Sequence, residues 1–418
     1  MFKVFLEVLL ISAVLFYYSE GRVAVLAGGN INEGNTDVYG TFLNLTQSYT
    51  FGTRILICTE ASDTPKESAS YYINLFRSKY HVLSVTWLPI DMNNSDGAYK
   101  QQNVDLVSTS GGLFFGGGDQ SRLFKLFYNV SADGSKYDTP VLAKIRELYE
   151  SNRLIIAGTS AGSDIQQQAP MVTGGLSWEA LVNGAHSYIS DEHPNYLSYQ
   201  AEGGFGFFDM GILDTHVGTM GRQGRNIRLL DSLAKSGFTL GFGIDEDTAI
   251  KLIDNEFEVV GWNGVYIYNI SGAKPSPIAD DNFWSLANIK VSWLTMGDTY
   301  NSNTQTVKFA NWKNKIHVLD PSSKSMAGNQ DIFSSLVDSS GDPINPEQFT
   351  NITLNLMDSD FNTAYGTTPE GNPQYRVDFV KKSDLRAVAG IMGTNRYVSY
   401  KDLSVSIYVK PQSESKST

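Results

Sequence analysis

Gly158-Thr159-Ser160-Ala161-Gly162 follows the apolar run Leu154-Ile155-Ile156-Ala157, and helix-compatible residues, Asp164 to Gln168, come after it. A strand that turns sharply at a serine and enters a helix projects the hydroxyl at the carboxyl end of the strand. Glycines flanking such a turn make room where Cβ atoms would collide. The helix N-terminus behind the serine offers backbone N–H groups to a developing oxyanion. A serine needs a general base to become a useful nucleophile, and the base needs an orienting acid. Of the five histidines, His216 is best placed: it ends the strand-like stretch Gly211-Ile212-Leu213-Asp214-Thr215 and is followed by Val217 and Gly218. His186 and His193 lie in an irregular segment expected to cover the site, His81 begins an upstream strand, and His317 lies in the C-terminal region. Asp245-Glu246-Asp247 closes another strand-like run, Leu240 to Ile244. Three adjacent carboxylates repel unless one meets a cation or an imidazolium. The spacing alone leaves open which of them orients the histidine.

The elements that must carry these residues alternate along the first part of the chain. Val23 to Ala27, Arg54 to Thr59, His81 to Leu88, Gly112 to Phe115 and Leu154 to Ala157 read as strands. Ser62 to Lys79, Ser121 to Phe127 and Val141 to Glu150 read as helices, the first with Tyr72, Leu75 and Phe76 on one face. This alternation predicts an α/β domain with a mainly parallel sheet, whose sites form at the carboxyl ends of the strands. The glycine loop Gly116-Gly117-Gly118 and the Ser160 turn both stand at such ends. Arg222, Arg225 and Arg228 are spaced along an expected helix with Ile227 and Leu230. Phe257 to Gly261 and Val265 to Tyr268 read as a hairpin through Asn263-Gly264. Beyond about residue 306, short strand-like pieces (Val307 to Phe309, Ile316 to Leu319, Ile352 to Leu356, Tyr375 to Val380, Val405 to Val409) alternate with polar loops. They predict a β-rich C-terminal module or elaboration over 306–418.

Composition narrows the class. The chain has 418 residues, 41% of them hydrophobic, with 22 Tyr and 22 Phe, enough for a sizeable core. A net charge of −12 disfavours nucleic acid and anionic membrane surfaces as partners. Residues 1–21 resemble a secretory signal peptide: Lys3 near the start, a largely apolar run from Val8 to Tyr18, and small residues in Ser19-Glu20-Gly21. That run is too short to span a membrane, and no membrane anchor is expected. Asn-x-Ser/Thr sequons at Asn44, Asn93, Asn129, Asn269 and Asn351 fit a secreted glycoprotein. A single cysteine, Cys58, excludes an intramolecular disulfide and is expected in the core. No spacing of His, Cys and acids fits a structural zinc or calcium site, and no cofactor is expected.

Taken in order, Phe114-Phe115-Gly116-Gly117-Gly118-Asp119-Gln120, Gly158-Thr159-Ser160-Ala161-Gly162, Asp214-Thr215-His216 with its downstream arginines, and Gly241-Phe242-Gly243-Ile244-Asp245-Glu246-Asp247-Thr248-Ala249 resemble the cyanophycinase family of serine peptidases. The α-aspartyl dipeptidases are its relatives. The resemblance covers roughly residues 22–305. It implies a three-layer α/β/α sandwich like that of class I glutamine amidotransferases, with serine in place of their cysteine. It implies Ser160 as nucleophile, His216 as general base and Glu246 as orienting acid, with a neighbouring aspartate as the alternative. Gly117, Gly118 and the N–H of Ala161 would form the oxyanion hole. Gln120, Asp214, Thr215, Arg222 and Arg225 would line the substrate site, whereas Arg228 fits a solvated helix face. The implied substrates are peptides with aspartyl residues, including β-linked aspartyl-arginine units. The family typically carries Asp-Gln-His-Phe where this chain has Asp214-Thr215-His216-Val217, and an arginine where it has Met220. Methionine cannot supply the two-pronged grip of a guanidinium on a carboxylate, so the specificity pocket is altered. The expectation is a secreted peptidase acting on a peptide substrate through an acyl-enzyme, with a homodimer compatible with it. The alternative class is a catalytically inactive extracellular or matrix protein on a peptidase fold. A glutamine amidotransferase is excluded, because the elbow holds serine and Cys58 lies elsewhere.

Overall fold

A computed structural model describes residues 21–411 apart from 50–53, 133–134, 169, 188–191, 317–321 and 327. The leader expected over 1–21 therefore lies, except for Gly21, outside the described residues, as do His317 and most of the strand expected over Ile316 to Leu319.

The parallel strands are β1 (Val23–Ala27), β2 (Ile55–Cys58), β3 (Val85–Trp87), β4 (Gly112–Phe115) and β5 (Ile155–Thr159), aligned in the order β1-β5-β4-β2-β3. Their apolar runs are continuous because both faces of the sheet are covered. Residues alternate between two cores. Val23, Val25, Ile55, Ile57, Phe114, Ile155 and Ala157 face one core, with Val38 and Phe42 from helix α1 (Thr36–Tyr49) and Ala69 from α2 (Pro65–Asn74). Ala24, Leu26, Leu56, Cys58, Leu113, Phe115 and Ile156 face the other. That core takes Leu123 and Leu126 from α3 (Gln120–Phe127) and Val141, Ile145 and Leu148 from α4 (Pro140–Glu150). The result is the expected α/β/α layering. Asp119 caps α3 by accepting from the N–H of Ser121 (2.8 Å), and Thr139 caps α4 ahead of a proline at its first turn. Cys58 is buried in this core, and burial pushes its thiol pKa well above the ordinary value.

Downstream the chain builds a second sheet and then returns to the first. β6 (Ile212–Thr215) and β7 (Leu240–Ile244) pair in parallel. The chain then crosses back, where β8 (Thr248–Ile253) lies antiparallel to β1, followed outward by β9 (Glu256–Gly261). β10 (Gly264–Asn269) returns to the second sheet, between β7 and β11 (Leu286–Thr295). The hairpin expected through Asn263-Gly264 is thus not a hairpin: β9 and β10 are consecutive, yet each pairs in a different sheet. The reason is registry. Gly261 sits opposite Thr248 at the edge shared with β8, with φ of 112°, and the turn carries the chain across rather than folding it back.

Among the described residues the C-terminal strands form no sheet of their own. The long strand Asn395–Val409 pairs with β11 and extends the second sheet through Tyr375–Val380 and Phe361–Thr367. Ile352 to Leu356 is not a strand. It lies in the helix Gln348–Met357, whose buried Phe349, Ile352, Thr353 and Leu356 follow the i, i+3, i+4, i+7 helical spacing and pack on this sheet. The alternation of Ile352, Leu354 and Leu356 fits both periods over so short a window, and the tertiary surface decides. Among the described residues no helix is long and apolar enough to cross a membrane.

Candidate active site

The sheets meet where β1, β5, β6 and β7 end. Ser160 follows β5 directly and starts the short helical turn Ala161–Asp164, with φ 54° and ψ −126°, a backbone conformation costly for a residue with a Cβ. Each glycine of the elbow is enforced by backbone. A Cβ on Gly158 would lie 2.2 Å from the carbonyl oxygen of Gly162, and one on Gly162 2.2 Å from that of Phe115.

His216 follows β6, also at positive φ (53°), and its N–H donates to the Gly28 carbonyl (2.8 Å). Its Nε2 is 2.8 Å from Ser160 Oγ and its Nδ1 is 2.7 Å from Glu246 Oε1. Glu246 Oε2 accepts from Asn30 Nδ2 (3.0 Å). The His216 and Glu246 side chains are each 16% exposed, a rim rather than a core position. Burial works against the Glu246 charge, but hydrogen bonds from His216 and Asn30, with the His216 and Arg222 charges, hold its pKa below the ordinary value. The other two acids of the run face elsewhere. Asp247 Oδ1 accepts from the Asn32 N–H (2.6 Å) and Asn35 Nδ2 (3.2 Å). Asp245 is fully buried, and its Oδ1 accepts from the N–H groups of Thr219 and Glu246. Glu246 is the acid of the three whose carboxylate reaches His216.

Gly117 lies against Ser160: a Cβ built on it would be 3.1 Å from Ser160 Cβ and 3.6 Å from its Oγ. Gly118 is exposed at φ 139°, a conformation that favours glycine, and its Cβ would strike the Ala61 carbonyl oxygen at 2.2 Å. Among the described residues the N–H groups of Gly117, Gly118 and Ala161 donate to no protein acceptor, which leaves them available beside the serine.

The residues expected to line the substrate site divide. Asp214 and Thr215 are fully buried and Arg225 is 5% exposed, so these three are internal. Arg225 forks onto Asp214 through Nε–Oδ2 (2.7 Å) and Nη2–Oδ1 (2.5 Å), and Asn226 Nδ2 adds a third bond to Oδ2 (2.8 Å). Burial opposes the Asp214 charge, but Arg225 and Arg222 hold its pKa below the usual carboxylate value. Thr215 Oγ1 donates to Asp164 Oδ2 (3.0 Å), tying the strand of the histidine to the helical turn of the serine. Burial, then the Asp214 charge, raises the Asp164 pKa. These residues are not surface contacts because they are partnered internally: a carboxylate as buried as Asp214 survives only with its guanidinium. Arg222 remains half-buried beside the site; its Nη1 donates to the Thr215 carbonyl (2.9 Å), and burial together with Arg225 lowers its pKa to about 10, leaving it cationic at neutral pH. Met220 is half-buried nearby in sequence. Gln120 donates through Nε2 to the Val172 carbonyl (2.6 Å) and is partly exposed. Arg228 is no bare solvated residue: its guanidinium lies over Trp284 (5.1 Å to the ring centre). His186 and His193 stack on the ring of Tyr196, at 5.4 and 4.4 Å, and neither joins the Ser160–His216–Glu246 chain.

The loop after β1 was invisible as a site element in the sequence. Gly28 receives the His216 N–H, the Gly29 carbonyl receives the Asp247 N–H (3.2 Å), and Asn30 holds Glu246. Gly29 has φ 115°, and a Cβ there would fall 2.1 Å from His216 Cε1. The signal was the Gly/Asn richness of Gly28 to Gly34, which permits the positive φ of Gly29 and Asn30 (41°). Among the described residues no group of three or more His, Cys, Asp or Glu side chains could hold a metal ion.

Comparison with known proteins gives a consistent relationship. The chain is 28% identical over 255 residues to the cyanophycinase of Geminocystis herdmanii, covering 60% of this chain and 83% of that protein. It is 27% identical over 261 residues to the cyanophycinase of a Nostoc species, covering 60% and 76%. The cyanophycinase of Synechococcus elongatus is 26% identical over 256 residues, covering 60% and 70%. The chain is thus similar to cyanophycinases over 60% of its length. The relationship supports a peptidase of the cyanophycinase-like kind. No family profile matches the chain. Among solved structures, a peptidase from an acI-B1 Actinobacterium aligns with a TM-score of 0.44 at 20% identity, over 69% of this chain and 99% of that one.

Proposed function

We propose that this cyanophycinase homologue is a secreted serine-type peptidase that hydrolyses aspartyl-containing peptides through an acyl-enzyme. The observation that carries the reading is the continuous hydrogen-bonded chain Ser160 Oγ–His216 Nε2, His216 Nδ1–Glu246 Oε1, with free backbone N–H groups beside the serine. In this reading Ser160 Oγ attacks the scissile carbonyl carbon while His216 Nε2 takes the hydroxyl proton. Glu246 stabilises the imidazolium, and the N–H groups of Gly117, Gly118 and Ala161 receive the oxyanion. Collapse of the tetrahedral intermediate breaks the C–N bond, and His216 gives its proton to the departing amine. Water, deprotonated by His216, then releases the acid product and regenerates Ser160. The aspartyl preference rests on the kinship and on Arg222, which keeps its charge at the edge of the site. Met220 in the family's arginine position argues for a substrate other than the family's usual polymer.

Secretion rests on the leader-like residues 1–21 and on the sequons. Asn44, Asn93, Asn129 and Asn351 are exposed and Asn269 is half-buried, so most can be reached by a glycosyltransferase. Labelling of the secreted protein with a fluorophosphonate, beside a Ser160→Ala control, tests the enzyme reading, and α- and β-aspartyl dipeptides then test specificity. Adduct on Ser160 and its absence in the control are expected. A folded wild type that takes no label refutes activity and leaves the inactive extracellular protein.

A further inference from the structure

The base and the acid of the candidate triad stand on different strand ends, 30 residues apart, and something must fix one against the other. Asp245 occupies that place. Its side chain is fully buried, and Oδ1 alone accepts three hydrogen bonds: from the Thr219 N–H (2.9 Å), the Thr219 hydroxyl (3.2 Å) and the Glu246 N–H (2.9 Å). Thr219 belongs to the turn that His216 opens, closed by the Met220 N–H donating to the His216 carbonyl (3.0 Å). One carboxyl oxygen therefore joins the turn of the histidine to the backbone of the acid. The fit around it is tight. A Cβ on Gly218 would lie 2.0 Å from Asp245 Oδ2, and one on Gly28 would lie 2.1 Å from the Asp245 carbonyl oxygen. Asp245 is itself anchored to the second sheet, its N–H donating to the Gly264 carbonyl (3.1 Å).

We propose that Asp245 is the positioning residue that holds His216 and Glu246 in register by bridging the Thr219 turn and the Glu246 backbone. It touches neither the serine nor the cleft and acts through the two residues it ties. Burial raises its pKa to about 7, so below that pH the carboxyl is mostly protonated, and a carboxamide is its near-isostere. Oδ2 has no protein partner among the described residues. Asparagine thus keeps the Oδ1 acceptor that joins Thr219 to Glu246, while its amide nitrogen, a donor with no protein acceptor at the Oδ2 place, costs stability rather than register.

The proposal rests on the serine-peptidase reading, and the test separates the two. Fluorophosphonate saturation kinetics give kinact and KI, and the downfield proton signal of the His216 imidazole reports the Nδ1–H to Glu246 bond without any activity. Asp245→Ala is expected to lower kinact about 100-fold, the scale of a 1 Å misplacement, with KI unchanged and the imidazole signal lost. Asp245→Asn is expected to restore kinact to within about threefold of wild type, together with the signal. If Asp245→Ala does not fold, Thr219→Val removes one of the three bonds at a half-buried position and is expected to lower kinact several-fold at constant KI. Wild-type kinact and an intact imidazole signal in a folded Asp245→Ala, or in Thr219→Val, overturn the proposal. So does an Asp245→Asn variant as damaged as Asp245→Ala. A wild type that takes no label overturns the peptidase reading, and the imidazole signal in the variants still decides the positioning role.

Discussion

Replacing Glu246 by glutamine is the sharpest perturbation the site offers, because the change is isosteric and the consequence follows from two bonds. Glu246 gives one oxygen to His216 Nδ1 (2.7 Å) and the other to Asn30 Nδ2 (3.0 Å). With Asn30 presenting its donor as it does here, the substituted amide turns its carbonyl oxygen to Asn30 and its nitrogen to His216. Nδ1 then has to accept, the neutral imidazole carries its proton on Nε2, and the nitrogen facing Ser160 cannot take the hydroxyl proton. The lost charge adds to this. Two unit charges about 4 Å apart at an effective dielectric constant of about 20 attract by ~4 kcal/mol, and losing that from the transition state costs about a thousandfold in rate. The site is a partly buried rim, so that dielectric is the appropriate one. Glu246→Gln is therefore expected to lower kinact for a fluorophosphonate by about 10³- to 10⁴-fold, with the melting temperature within a few degrees of wild type. The assay is label incorporation against time at several probe concentrations, beside thermal unfolding. A folded Glu246→Gln protein labelled within about tenfold of wild type refutes both the tautomer argument and the assignment of Glu246 as the orienting acid.

Arg225→Ala leaves Asp214 buried and charged without its forked partner, so it is expected to destabilise by about 3–5 kcal/mol, read by urea denaturation; an unchanged unfolding midpoint with a raised KM for substrate would instead return Arg225 to the substrate site. Asp245 gives a pH signature of stability. Its folded pKa, about 7, lies above the ordinary 3.8, with burial as the main cause and Glu347 and Glu246 contributing, so the folded protein binds the extra proton. The stabilising contribution is full below the unfolded value and is lost as pH rises from about 4 through 7, a ceiling of ~4 kcal/mol at about 1.4 kcal/mol per pKa unit. Urea midpoints from pH 4 to 7 should fall less steeply in Asp245→Asn than in wild type, and parallel curves would rule out the buried titration.

The sequence by itself determined much of this protein. Runs such as Val23 to Ala27 and Ile155 to Ala157 are apolar at every position, as strands of a sheet covered on both faces are, and they alternate with helical stretches, so the layered parallel core was legible. The elbow was legible because its glycines are set by backbone contacts within a few residues and across to Phe115, and those contacts leave a fixed short spacing. The order of Ser160, His216 and Glu246 was legible as strand ends. What failed was whatever depended on which surface an element meets. Ile352 to Leu356 fits either period, and packing on the second sheet made it a helix. Asn263-Gly264 looks like a hairpin turn, but strands choose partners over long separations, and β9 and β10 went to different sheets. Asp214 and Arg225 read as polar site residues from their neighbours in the chain. Tertiary structure alone decided that they face inward and neutralise one another. The same holds for Asn30 and Gly29, which reach the acid and the histidine from a loop distant in sequence, and for Asp245, which neighbours Glu246 in the chain but bonds Thr219, 26 residues away. Local spacing encodes the turn that presents a nucleophile. The partners that orient it are fixed by contacts such as that of Asn30 with Glu246, 216 residues apart, which no local pattern records.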